Sequence, residues 1–102
     1  MDFRVVWSPE AIEDVEAIAD YIAKDSQHYA RAVVLKLLEA ARDIRDYPKA
    51  GRVVPELADD AVREQFVYSY RLIYEVRERD VVIVAVIHGK RQLDSLPGGG
   101  SQ

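Results

Sequence analysis

Five arginines recur in the C-terminal third of the chain, within residues 63–91, which read REQFVYSYRLIYEVRERDVVIVAVIHGKR. Arg63, Arg71 and Arg91 are carried by what the pattern predicts to be two or three short strands. A guanidinium presents a planar fork of donors that matches the oxygens of a phosphate group. The spacing therefore predicts a phosphate-handling surface on a sheet, or the remains of one.

The charges of the chain are unevenly placed around that stretch. Net charge is −4, from 14 basic and 18 acidic residues. Residues 1–30 hold seven acids and two bases, whereas residues 63–91 hold six bases and four acids. A wholly basic protein gains nucleic-acid affinity by releasing counterions along its whole face. This chain cannot do so, and any contact with nucleic acid must be local.

The first half of the chain predicts a strand followed by two helices. A short strand at residues 3–7 ends at Ser8-Pro9, a helix cap followed by a proline at the first helical position. Apolar residues then recur at helical spacing over 9–24 and again from Ser26 to near Tyr47. Two amphipathic helices joined by a few polar residues predict an antiparallel hairpin that must cover an apolar surface.

The second half predicts a loop at 48–60 and then three strands. Placing Arg63 and Arg71 on one face of the first two strands requires a turn of odd length, most simply residues 68–70. That register sets Arg63 opposite Glu75. Residues 81–87 are apolar at every position, which is typical of a strand covered on both faces.

Length and composition exclude several classes of protein. The 102 residues and 49% hydrophobic content predict a single domain over 1–96, with a flexible tail at 97–102. No cysteine is present, and two distant histidines do not make a metal site, so we expect neither metal nor cofactor. The sequence shows no signal peptide and no apolar run long enough to span a membrane. It therefore predicts a cytoplasmic protein.

Five sequence words, in this order, carry a resemblance to a known family. They are VVWSPEAIEDVEAIADYIAKDS, YPKAGRVVPEL, VREQF, YRLIYEV and VVIVAVIHGKRQL. Together they resemble the RelE/ParE superfamily of toxins from type II toxin–antitoxin systems, over residues 3 to about 93. The resemblance implies an α+β fold in which an N-terminal strand and a helical hairpin precede the three-stranded C-terminal part of a mainly antiparallel sheet. It also implies a cognate antitoxin.

The resemblance gives the arginines specific roles. Arg71 matches an arginine that contacts the scissile phosphate in RelE-like enzymes, where a fixed cation stabilises the charge that grows during metal-free cleavage. Arg91 matches a second such arginine, and Lys90 beside it adds charge or is simply solvated. ParE-like members, which poison DNA gyrase, commonly carry the same arginines. The alternative for Arg71 is an exposed strand arginine paired with an acid.

Arg63 and Gln65 fall near two lysines that RelE-like enzymes place around the reacting phosphate. Glutamine supplies no charge and moves no proton at neutral pH, so half of that pair is absent. For Arg63 the sequence favours a cross-strand pair with Glu75, or a contact with the antitoxin or target.

Proton transfer is the weakest part of a nuclease interpretation. RelE-like enzymes often place a tyrosine or histidine in the C-terminal segment, but residues 92–102 contain neither. His88 and Tyr70 are the remaining candidates for moving a proton. A histidine at the end of a strand is more often hydrogen-bonded to its neighbours.

Three functions remain open from the sequence. The first is a ParE-like inhibitor that binds DNA gyrase and catalyses nothing, and the second is a ribosome-dependent mRNA endonuclease using Arg71, Arg91, His88 or Tyr70. The third is a degenerate toxin that only binds its antitoxin. In each case we expect a disordered antitoxin segment to fold over the hairpin and the sheet, with its acids near Arg71 and Arg91. Operator DNA would be bound by the antitoxin alone.

Overall fold

The computed structural model describes residues 3–90, which form a five-stranded sheet with two helices packed on one face. The predicted tail at 97–102 and Arg91 lie outside these residues. In chain order the elements are β1 (Arg4–Trp7), α1 (Pro9–Ala23), α2 (Gln27–Asp46), β2 (Arg52–Val53), β3 (Val62–Val67), β4 (Tyr70–Val76) and β5 (Asp80–His88). The strand order across the sheet is β1-β5-β4-β3-β2. Strand β1 pairs parallel with β5, and all other pairs are antiparallel. The predicted α+β architecture is confirmed.

Both helices begin at the serines that the sequence indicates. The Ser8 hydroxyl accepts a hydrogen bond from the Ala11 amide at 3.0 Å, and the Ser26 hydroxyl accepts one from the Tyr29 amide at 3.0 Å. Each bond satisfies an amide that has no partner within its helix. Helix α1 ends at Ala23, one residue before its predicted end at Lys24. Helix α2 ends at Asp46, next to its predicted end near Tyr47.

The helices and the sheet enclose the larger of two apolar cores. Its fully covered side chains come from both helices, β4 and β5, among them Leu37, Leu72 and Ile83. A smaller core, which includes Val54, Ile73 and Ala85, lies on the other side of the sheet under the β2–β3 loop. Because apolar residues cover both faces of β5, the prediction of a doubly buried strand at 81–87 is confirmed.

Helix α1 also completes the hydrogen bonding of β5. Strand β1 pairs with β5 only as far as Ile83, so the later part of β5 has no strand on that side. The Asp14 carboxylate accepts a hydrogen bond from the Val86 amide at 2.9 Å. A buried strand amide without a partner would cost about 1–3 kcal/mol, which this contact avoids.

The predicted register of the β3–β4 hairpin is wrong by one residue. Val67 pairs with Tyr70, so the turn contains two residues, Tyr68 and Ser69, and not three. Tyr68 has a φ of 55°, the sign that tight hairpin turns require at their first central position. A shift of one residue moves a side chain to the opposite face of the sheet. Arg71 therefore lies opposite Phe66 and not on the face shared by Arg63 and Gln65.

The loop at 48–60 also differs from its prediction in one detail. Arg52 and Val53 form the edge strand β2, in which Arg52 pairs with Glu64 and Val53 with Arg63. Two residues are too few for a period-2 pattern to be seen in the sequence.

Candidate functional site

The corrected register brings four charged side chains together on the face of the sheet that the helices leave uncovered. Arg71 comes from β4, Glu64 from β3 and Arg52 from β2. Glu56 is the fourth, and it comes from the loop between β2 and β3. We call these four residues the charge cluster.

Hydrogen bonds link the charge cluster in the order Arg52, Glu64, Arg71, Glu56. Glu64 accepts from Arg52 Nε through Oε2 at 2.5 Å and from Arg71 Nε through Oε1 at 2.6 Å. Arg71 uses its other edge for Glu56, donating from Nη1 to Oε2 at 3.0 Å and from Nη2 to Oε1 at 2.9 Å. Two parallel N–H···O bonds of this kind make the strongest and most directional form of arginine pair.

Burial differs sharply along the cluster. The Glu64 side chain is 0% exposed and that of Arg71 is 5% exposed, whereas Glu56 is 29% and Arg52 is 61% exposed. Two charges of each sign leave the cluster neutral. Ionised side chains are almost never fully buried unless they are paired, and each buried charge here has an opposite partner.

The contacts between Glu56 and Arg71 shift the pKa of both groups in the direction that favours their charged forms. Hydrogen bonds from Arg71 are the largest cause that lowers the pKa of Glu56 below its ordinary value. Hydrogen bonds to Glu56 are likewise the first cause that raises the pKa of Arg71. Arg71 is therefore a permanent cation held by two carboxylates. This agrees with the alternative prediction that Arg71 pairs with an acid, but the Arg71 side chain is buried and not exposed.

Acid should weaken the fold partly through Glu56. Since its folded-state pKa is lower than the unfolded value, Glu56 contributes stability above about pH 4.5, and this contribution is lost as the pH falls toward the lowered pKa. Urea unfolding between pH 7 and pH 3 should show a decline in unfolding free energy that is shallower in Glu56→Gln. The control is Glu75→Gln, which removes an equal charge elsewhere. If the three proteins declined in parallel, Glu56 would have no such linkage.

Arg63 does not form its predicted pair with Glu75. The register sets Arg63 opposite Tyr74, and its guanidinium donates to the Asp60 carboxylate at 3.1 Å and to the Gly51 carbonyl at 3.0 Å. Glu75 pairs instead with Arg77 at 2.9 Å. Because backbone carbonyls accept hydrogen bonds from its guanidinium, Arg63 helps to fix the connection between β2 and β3.

Tyr70 and His88 lie together, but on the helix side of the sheet. They are directly opposed on β4 and β5, with ring centroids 5.9 Å apart in an edge-on arrangement. Tyr70 packs against the larger core, and burial raises the pKa of its hydroxyl. A tyrosine with a raised pKa holds its proton more firmly, which disfavours Tyr70 as a base. His88 Nδ1 accepts a hydrogen bond from the Lys90 amide at 3.3 Å, as expected for a histidine at a strand end.

The predicted nuclease residues therefore do not converge. Successive residues of a strand point to opposite faces, so Tyr70 faces the helices and Arg71 faces away from them. The cation is on one side of the sheet, and the two candidates for proton transfer are on the other. Lys90 is exposed at the end of β5, and the second predicted cation, Arg91, is outside the described residues.

Sequence reasoning missed Glu56, Glu64 and Arg52 as members of this site. One signal was present: Glu64 interrupts the apolar side of the predicted strand, and an acid at an inward position needs a buried cation. No comparable signal marks Glu56, which lies in a loop without periodicity.

Two features of the described residues relate to the expectations from composition. Within 3–90, the histidine and carboxylate side chains form no group of three that could hold a metal ion. Neither of the helices in the described part of the chain is long and apolar enough to cross a membrane.

Comparisons with known proteins place this fold and sequence in a family. A family model for the ParE toxin of the type II toxin–antitoxin system parDE matches residues 5–93. "Toxin RelE2" of Caulobacter vibrioides is 37% identical over 89 residues, covering 86% of this chain and 97% of that protein.

Solved structures with the same fold are more distant in sequence. The chromosomal ParDE system of P. aeruginosa superposes with a TM-score of 0.70 at 18% identity, covering 84% of this chain and 95% of the other. The RelBE2 toxin–antitoxin complex of Mycobacterium tuberculosis gives 0.62 at 19% identity, with coverages of 86% and 99%. A mutant of E. coli RelE in the free state gives 0.64 at 16% identity, with coverages of 88% and 86%. Because the family model matches most of the chain and one relative is more than one-third identical, the chain belongs to the RelE/ParE superfamily of type II toxin–antitoxin toxins.

Proposed function

We propose that this toxin acts by binding DNA gyrase, as the resemblance to ParE-like members implies, and that it cleaves no RNA. One observation carries the proposal: Arg71 is buried and neutralised on the face of the sheet opposite Tyr70 and His88. Metal-free cleavage needs a cation and a proton-transfer group around one phosphate. The described residues offer these groups on two sides of a sheet. Gyrase binding, by contrast, needs only a complementary surface.

We also propose a cognate antitoxin as the partner that neutralises the toxin in the cytoplasm. The named assemblies among the structural neighbours support it, because they include a ParDE system and a RelBE2 toxin–antitoxin complex. Several apolar side chains of the hairpin are well exposed, including Ile12, Leu35 and Leu38. They suit a segment that folds on binding and buries apolar surface.

A second candidate is a ribosome-dependent mRNA endonuclease. The observation that favours it is the name of the 37% identical relative, "Toxin RelE2". This function would require a rearrangement that brings a proton-transfer group to the face that carries Arg71, or a contribution from residues outside 3–90.

A parallel assay of one purified sample tests the two functions. We expect micromolar toxin to inhibit gyrase supercoiling and to produce no new 5′ ends within codons in primer extension on translated mRNA. The matched variant Tyr70→Phe/His88→Ala should inhibit supercoiling as strongly as the parent. An endonuclease that uses these residues should instead lose cleavage by about 100-fold or more.

Two outcomes of this assay would contradict the proposal. Normal supercoiling at micromolar toxin, together with mRNA cleavage, would replace it with the endonuclease. Normal supercoiling without cleavage, in a protein harmless to bacterial growth, would favour a degenerate toxin that only binds its antitoxin. Circular dichroism spectra of both proteins serve as the control for folding.

A further inference from the structure

Four aromatic side chains lie exposed at one end of the molecule, where the turn between the helices meets the turn between β3 and β4. Tyr21 lies on α1 and Tyr29 on α2, while Phe66 lies on β3 and Tyr68 in the turn that follows it. In that order they are 72%, 48%, 51% and 54% exposed. We call these four residues the aromatic patch. We propose that the aromatic patch is the surface through which the toxin docks on DNA gyrase, an inference that rests on the proposed function.

The fold brings the members of the aromatic patch together from three separate parts of the chain. The ring centroids of Tyr29 and Tyr68 are 6.2 Å apart, in a tilted arrangement. Phe66 and Tyr68 line the same groove between β3 and α2. Burial raises the pKa of the Tyr70 hydroxyl, and its proximity to Tyr29 and Tyr21 raises it further. Tyr21 therefore lies close to the rings that α2 and the β3–β4 turn contribute.

Tyr68 has a backbone conformation that a tyrosine rarely adopts. Its φ is 55°, and Ala58 is the other non-glycine residue with a positive φ in the described part of the chain. A two-residue turn with a positive φ at its first central position alone favours glycine there, because a Cβ is crowded in this region. The turn itself therefore does not require a tyrosine. Residues in such unfavourable conformations are concentrated at functional sites, which points to a role for the Tyr68 ring in binding.

The area of the aromatic patch suits the centre of a protein interface. An aromatic side chain buries about 150–250 Å² when it is covered, so four rings that are about half exposed offer roughly 300–600 Å². Each partner in a stable complex buries about 800 Å², so the aromatic patch would supply a large part of that area. Tyrosine is also enriched among the residues that contribute most to binding. The hairpin side chains that we assign to antitoxin binding do not belong to the aromatic patch.

The charges around the aromatic patch suit a protein partner better than a nucleic acid. Lys24 Nζ lies 5.9 Å from the centroid of the Tyr21 ring. Asp20 and Asp25 adjoin these two residues in the chain and are exposed as well. A rim that carries both signs of charge would repel a phosphate backbone as much as attract it. An aromatic centre inside a polar rim is instead the usual arrangement of a protein–protein interface, which is what docking on gyrase requires.

The test compares purified variants in the gyrase supercoiling assay. Tyr68→Gly removes a ring and suits the turn, so its urea midpoint should be no lower than that of the parent. The concentration of toxin that half-inhibits supercoiling should nevertheless rise about tenfold or more, as expected when a central interface side chain is removed. Tyr21→Ala should lose inhibition to a similar extent. Weaker inhibition by a protein of undiminished stability excludes unfolding as the cause.

The matched control is Tyr47→Ala, because Tyr47 is 71% exposed and Tyr21 is 72% exposed. Tyr47 follows the last residue of α2, a helix of 20 residues and so about 30 Å in length, and is therefore far from Tyr29. Tyr47→Ala should inhibit supercoiling as the parent does. If Tyr68→Gly and Tyr21→Ala inhibited equally well, the docking surface would be overturned while gyrase inhibition itself stood. A parent toxin that did not inhibit gyrase would overturn both.

A second copy of the toxin is the other protein that could cover the aromatic patch. Sedimentation velocity of the parent and of Tyr68→Gly distinguishes the two occupants. We expect both proteins to sediment alike. A parent dimer that becomes a monomer in Tyr68→Gly, with unchanged inhibition of gyrase, would overturn the proposal. If Tyr68→Gly does not fold, Tyr68→Asn replaces it, since asparagine also tolerates a positive φ.

Discussion

Replacing Glu64 by glutamine should lower the free energy of unfolding by about 3–5 kcal/mol, the cost typical of breaking a buried ion pair by removing one partner. Glu64 is 0% exposed and accepts from both Arg52 and Arg71. Without its charge, Arg71 would keep Glu56 as its sole anionic partner in the charge cluster. Arg52 can move into water, but the nearly buried Arg71 cannot.

Urea unfolding at pH 7 measures this effect, and Glu39→Gln is the matched control. Glu39 has the same charge, but it lies on the exposed face of α2, 3.5 Å from Lys36, with 53% of its side chain exposed. Exposed pairs of this kind contribute about 0.2–1 kcal/mol. If Glu64→Gln were no less stable than Glu39→Gln, the cluster would not stabilise the sheet.

A double variant separates an uncompensated charge from lost packing. Replacing Glu64 by leucine and Arg71 by methionine removes both buried charges and keeps side chains of similar length. Such apolar replacements of buried ion pairs are often neutral or stabilising. We therefore expect Glu64→Leu/Arg71→Met to be more stable than Glu64→Gln. A double variant less stable than the single one would show that packing, and not charge, dominates at this site.

Truncating Leu37 to alanine should cost about 2–5 kcal/mol, because a cavity would replace a side chain in the middle of the larger core. Leu37 is 0% exposed and projects from α2 toward the sheet. The hairpin and the sheet share this core, so the loss should lower the unfolding free energy of the whole cooperative unit. The denaturant midpoint should therefore fall equally whether it is followed by Trp7 fluorescence or by far-UV circular dichroism.

Leu35→Ala provides the comparison within the same helix. Leu35 is 56% exposed, and leucine and alanine differ little in helix propensity. Its effect should stay within about 0.5 kcal/mol. Equal losses for the two leucines would mean that α2 is not packed on the sheet through Leu37. A loss of antitoxin binding in Leu35→Ala with unchanged stability would instead support docking on the hairpin.

Much of the fold could be predicted because it depends on local chemistry. Ser8 and Ser26 were identifiable as caps since a serine before a helical apolar pattern satisfies orphan amides. The doubly covered strand was predictable because an apolar run over 81–87 has no polar side to expose. The parallel pairing of β1 with β5 carries no such local signal, since it joins residues almost eighty positions apart.

The candidate site was predicted only in part. The sequence indicated Arg71 and Arg63 as candidate residues, but it did not indicate the residues that contact them. A one-residue change in the hairpin turn reverses every side chain that follows it, and no pattern distinguishes a turn at 68–69 from one at 68–70. The predicted shared face of Arg63 and Arg71, and the pair of Arg63 with Glu75, both failed for this single reason.

The arginines of the C-terminal strands were thus recognisable from sequence alone, as were the helices, the three C-terminal strands and the family, because periodicity and short sequence words are properties of neighbours along the chain. The environment of those arginines was not. Only the tertiary structure decided that Arg71 lies away from Tyr70 and His88, and that Glu56, fifteen residues earlier in a loop, neutralises it. Charges act through space, and the distances between them are set by strand register and loop closure.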